Sequence, residues 1–120
     1  MSDAPLTAAG IAAHLAKLSL KLDELVRAIG DAETAAVHAR EDFTLTHAKA
    51  FLAAEGPMDV RRYVAIEATH RERVVAELAE ATVRGLRRQI DSVKLRVDVG
   101  RSLSAAMRTE ASLAGAAVTT

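Results

Sequence analysis

The residues of this chain best equipped for chemistry are four histidines, His14, His38, His47 and His70, with the carboxylates around them. The segment "EATH" sets Glu67 and His70 three apart, a spacing by which one helix offers a carboxylate and an imidazole to a metal. His47 and Asp42 would approach this pair if the chain folds back near residue 56. A metal centre in a helical bundle draws on matching motifs from several helices. The first half of the chain has no second ExxH motif, no two histidines are four apart, and HExxH does not occur. These groups therefore read as polar residues at the edge of a packed seam, and no metal is expected. Nucleophilic catalysis has no better footing. There is no cysteine, no GxSxG elbow and no glycine-rich phosphate loop. No catalytic residue, no cofactor and no enzymatic activity are expected.

The sharpest charged pattern is basic. Arg87, Lys94, Arg101 and Arg108 recur every seven residues, with Arg84 and Arg88 beside them. On a helix they form one stripe that could face an acidic partner or follow a nucleic-acid backbone. Asp91 and Asp98 fall between these cations at three- and four-residue spacings. The same stretch is thus also a ladder of intrahelical ion pairs. The aromatic residues that stack on bases are Phe43, Phe51 and Tyr63, all toward the other end. The ladder, or pairing with an acidic first helix, is the expected role, and nucleic-acid binding is the alternative.

Two long apolar series must position these groups. Leu15, Leu18, Leu22, Leu25, Ile29, Ala32, Ala36, Ala39, Phe43, Thr46, Ala50 and Ala53 step by three and four, the signature of one helical face. Thr7 is the expected N-cap and Asp3 the second choice. Gly30 interrupts neither phase nor pattern, so one helix is kept across it. A second series runs through Val64, Ala68, Arg71, Val75, Leu78, Thr82, Leu86, Ile90, Val93, Val97, Gly100, Ser104 and Met107. Between the two stand Gly56 and Pro57. Glycine adopts the left-handed conformation that ends a helix, and proline suits the start of the next. The expected fold is all-α, a long antiparallel helical hairpin of coiled-coil type. The first helix covers about 7–55, the turn 56–58 and the second helix about 59–114, with a flexible tail at 115–120. Residues whose numbers total about 115 should then face each other, because a short connection makes long helices antiparallel neighbours. Leu18 meets Val97, Leu22 meets Val93, Leu25 meets Ile90 and Ile29 meets Leu86, and these eight are the expected core seam.

Composition agrees with a thin core. Half of the 120 residues are apolar but only 2 % are aromatic, and alanine, leucine and valine dominate. An alanine side chain buries little more than a methyl group. Leu20, Val26, Val37, Leu45, Phe51, Val74, Val83, Leu95, Val99 and Leu103 lie off the seam and widen each stripe beyond what one neighbour covers. Self-association is expected, most simply a dimer forming a four-helix bundle, or else an unidentified protein partner. Net charge is zero, divided as five Lys/Arg against eight Asp/Glu before residue 57 and eleven against eight after it. Charged residues interrupt every apolar run, so no membrane span is expected. No basic segment precedes the first apolar one, so no secretory leader is expected, and the absence of cysteine fits a cytoplasmic setting.

The stretches "HAKAFLAAEGPMDVRRYVAIEATHRER" and "LRRQIDSVKLRVDVGRSLSAAMRTEASLAG" carry a resemblance. Their alanine-rich helix, "EG" break, paired arginines and "DVGRS … RTEASLA" ending are similar to small helical proteins encoded by bacteriophages of actinobacteria. The resemblance covers about residues 40–115. It implies a setting near phage replication and recombination, in the host cytoplasm, and carries no catalytic residue with it. A non-enzymatic accessory or adaptor protein is the leading expectation. A nucleic-acid-binding accessory protein and a structural virion or secretion component are the rivals.

Overall fold

Thr7 opens the first helix. Its hydroxyl accepts the Gly10 N–H at 3.0 Å, which satisfies one of the amide groups that a helix start leaves unpaired, and its carbonyl accepts the Ile11 N–H at 2.9 Å, the first intrahelical bond. The computed structural model describes residues 7–119, so Asp3 lies outside the described residues. Three α-helices and no strand occur among them: α1 (Ala8–Ala53), α2 (Met58–Ala68) and α3 (His70–Thr119). No helix among the described residues is long and apolar enough to cross a membrane.

Gly30 lies inside α1, and a Cβ added there would meet nothing within 4 Å. The α1 helix ends at Ala53, where the Ala54 N–H still reaches the Ala50 carbonyl at 3.1 Å. Gly56 follows with a φ of +108°, a left-handed conformation that uses glycine's freedom, three residues past the last helical one. Pro57 is the N-cap of α2 with φ −63° and ψ 160°, and its carbonyl accepts the Arg61 N–H at 3.0 Å. It precedes the first turn instead of forming part of it. Asp59 sits in that first turn, where a negative charge complements the exposed amides.

Three expectations about the second half are corrected. The helix read as continuous from 59 is broken at Thr69, whose φ of −116° and ψ of 15° leave the helical region. The Thr69 hydroxyl donates to the Ala65 carbonyl at 2.6 Å, a backward bond that competes with regular helix geometry. At the far end, α3 runs on through Gly115 to Thr119 where a tail was expected. One helical glycine costs only about 1 kcal/mol, and the alanines around it favour the helix. The third correction concerns phase. Val64, Val75 and Leu78 are exposed, as are Ala68, Arg71 and Thr82. The covered positions are one residue later, at Ala65, Thr69, Glu72, Ala76, Ala79 and Val83, and the two series merge at Leu86.

The contacts divide into two compact units. One takes the described residues up to Val26 together with those from Arg88 onward, and the other is Arg27–Arg87. In the first, Ile11, Leu18, Leu25, Ile90 and Val93 are buried and Leu15, Leu22 and Val97 half-buried. Gly100 is buried against α1, where an added Cβ would fall 2.6 Å from Leu15 Cδ2 and 3.3 Å from its Cγ. In the second unit the buried apolar residues are Ala36, Ala65 and Ala76, with Ile29 and Leu86 half-buried. Small residues on the inside let helix backbones come close, at the cost of little apolar area removed from water.

Candidate functional site

Within Arg27–Arg87, polar and aromatic side chains of α1, of α3 and of Thr69 at the junction of α2 and α3 form a connected row. Arg40 and Glu80 make a two-pronged ion pair, with Nε–H donating to Oε2 at 3.3 Å and Nη2 to Oε1. Both side chains are more than a third exposed. The hydrogen bonds from Arg40 hold the Glu80 carboxyl below its ordinary value of 4.5; partial burial opposes them, and the charges of Arg40 and Arg84 add to the lowering. The same bonds raise the Arg40 guanidinium, which Glu77 also favours. The Arg40 guanidinium carbon lies 5.5 Å from the centre of the Phe43 ring, within cation–π range. Phe43 in turn meets His47, with ring centres 5.7 Å apart and planes tilted by 59°.

His47 Nδ1 is 3.2 Å from the hydroxyl of Thr69, which is only 1 % exposed. That hydroxyl has a single proton and donates it to the Ala65 carbonyl. It can only accept from the imidazole, so His47 carries its proton on Nδ1. His47 thus meets Thr69 and not His70. The exposed His70 receives an Arg73 N–H on its Nδ1 at 3.0 Å, and Arg73 also pairs with Glu77 at 3.2 Å. Among the described residues no three of His, Cys, Asp and Glu gather where they could hold a metal ion. The row from Glu80 to Thr69 is a clasp between helices.

The basic positions divide between the units, Arg84 and Arg87 in one and Arg88, Lys94, Arg101 and Arg108 in the other. All six are exposed. The expected ladder does not form. Among the described residues, the ion pairs within 4.0 Å are Lys21–Glu24, Arg40–Glu80, Asp59–Arg62 and Arg73–Glu77, and none includes Asp91 or Asp98. In the first unit, Arg101 borders a groove of about 380 Å³ with Leu15, Ser19, Leu22 and Val97.

Apolar exposure is the larger feature. Sixteen large apolar side chains stay open to solvent against eight buried apolar ones among the described residues. Leu20, Val26, Val37, Leu45, Leu95, Val99 and Leu103 are exposed as their off-seam spacing implied, whereas Phe51, Val74 and Val83 are half-buried. Sequence spacing did not single out the exposed Val60, Val64, Val75 and Leu78 of the second unit, having assigned the last three to the inside. Comparison with protein-family models, with curated proteins and with solved structures finds no significant match to this chain.

Proposed function

We propose that this chain is a non-enzymatic accessory or adaptor protein that works through helical protein–protein contacts and self-association. The observation that carries this reading is the balance of apolar surface, with more large side chains outside than inside. Scattered exposed leucines are ordinary, but a surplus of this size marks a surface that a partner covers. The arrangement we infer is an antiparallel helical hairpin that completes a four-helix bundle as a dimer. The pairings Arg40 with Glu80 and His47 with Thr69 support it, since the partner number falls as the α1 number rises. The resemblance to phage-encoded helical proteins supports an accessory role in a host cytoplasm. Size exclusion with light scattering tests the reading. A discrete oligomer at low and high salt is expected, and a monomer across the accessible concentration range refutes it.

The unladdered cations favour a second reading, contact with nucleic acid along α3. Phosphate binding releases counterions, so affinity would fall steeply with salt. Fluorescence anisotropy with single- and double-stranded DNA separates the two. The adaptor reading expects no salt-sensitive binding. The second expects binding that weakens when Arg87, Lys94 and Arg101 become Glu.

A further inference from the structure

The exposed flank of the second unit contains a pattern with its own symmetry. Val60, Val64, Glu67, Arg71, Val75 and Leu78 follow one another at three- and four-residue steps across α2 and the start of α3, and all six are exposed. They are mirrored about Thr69. Glu67 and Arg71 lie two residues to either side, Val64 and Val75 five and six, and Val60 and Leu78 nine. Valine answers valine and leucine across the centre, while the charges answer with opposite sign. Glu67 and Arg71 are four apart, yet neither belongs to any ion pair within 4.0 Å among the described residues.

We propose that this flank is the face on which two copies of the chain dimerise, packed antiparallel about a twofold axis beside Thr69. A twofold interface places each residue of the patch opposite its mirror position on the other copy. Glu67 then faces the second copy's Arg71 on both sides of the axis, and Val60 and Val64 face the second copy's Leu78 and Val75. Parallel pairing in register would set Glu67 on Glu67 and Arg71 on Arg71. A different protein would have no need of a pattern that inverts its charge about one point. Thr69 itself points inward, toward His47 and Ala65, so the axis meets no side chain already engaged with α1.

This inference rests on the self-association reading and is tested separately from it. The full-length chain is examined by sedimentation equilibrium as the wild type, as Glu67→Arg, as Arg71→Glu, and as an equimolar mixture of the two variants, with helix content checked by circular dichroism. The wild type should be a dimer. Each variant opposes like charges twice and should dimerise at least about tenfold more weakly. In the mixture, the two substituted positions carry opposite charges and face each other, as do the native Arg71 of one variant and the native Glu67 of the other. Dimers should therefore return as heterodimers. Wild-type dimers with unaffected variants would overturn this face and leave self-association standing on another. Weakened variants whose mixture stays monomeric would overturn the antiparallel pairing. A monomeric wild type would overturn both readings.

Discussion

Two glycines at comparable positions in long helices should respond oppositely to the same substitution. Alanine is favoured over glycine in a helix interior by about 1 kcal/mol. At Gly30 a Cβ meets nothing within 4 Å, so Gly30→Ala should realise that full gain. At Gly100 the Cβ would fall 2.6 Å from Leu15 Cδ2 and 3.3 Å from Cγ. The first atom is the end of a side chain and can move, but Cγ requires the whole leucine to shift. Overpacking of this kind costs about 1–3 kcal/mol. The propensity gain offsets part of it, leaving Gly100→Ala between neutral and about 2 kcal/mol destabilised. The assay is urea and thermal unfolding followed by circular dichroism, at one fixed chain concentration. The stabilised variant should gain about 4 °C or more in Tm, and the two should differ by about 1–3 kcal/mol. Leu15→Ala in the Gly100→Ala background removes the obstructing atoms, so the double variant should be more stable than the two single losses predict when added. Equal stabilisation at both glycines would refute the close approach of α3 to Leu15. A loss at Gly30 would refute an uninterrupted, uncovered α1 at that point.

The other expectations address the clasp and the turn. Thr69→Val removes a buried hydroxyl that serves both Ala65 and His47, and should cost about 1–2 kcal/mol with faster amide exchange over residues 65–73. Glu80 has a lowered pKa in the folded chain, so its contribution is complete above the ordinary value of 4.5 and is lost as pH falls through the lower folded value. Glu80→Gln should therefore lower stability at neutral pH and flatten the acid limb of a stability profile. At Gly56 the space around a Cβ is ordinary, with Val60 Cγ1 at 3.6 Å, but the φ is +108°. Gly56→Ala should thus cost at least about 1 kcal/mol through the backbone alone, measured by chemical denaturation.

The α1 face was legible because large residues and heptad spacing coincide there. From Leu15 to Ala50 every position in the series is buried or half-buried, and only Ala53 falls outside. Residues 60–82 misled because hydrophobicity marks a face that excludes water without saying which neighbour excludes it. The bulky valines and Leu78 lie outside, while Ala65 and Ala76, which look like filler, lie inside. Thr69 gave no warning, since a threonine within a helical pattern is ordinary until its hydroxyl turns back on the backbone. The Arg40–Glu80 pair joins residues 40 apart, beyond any local spacing rule. The ladder of Arg87, Asp91, Lys94 and Asp98 shows the converse, where favourable spacing is a geometric opportunity that exposed side chains need not take.

The alanine interior of α2 and α3 also sets how this chain tolerates change. Ala65 and Ala76 are fully enclosed, so truncation there has almost nothing left to remove, while each added carbon must push a helix aside. In an ordinary core, a large residue can shrink at a graded cost. Here tolerance is one-sided. Comprehensive substitution would show residues 65 and 76 accepting glycine or serine far better than valine or leucine, while the bulkier positions on the outer flank vary with whatever covers them. The inner positions would thus fix how closely the helices approach, and the outer ones would be free to change partners without altering the fold beneath.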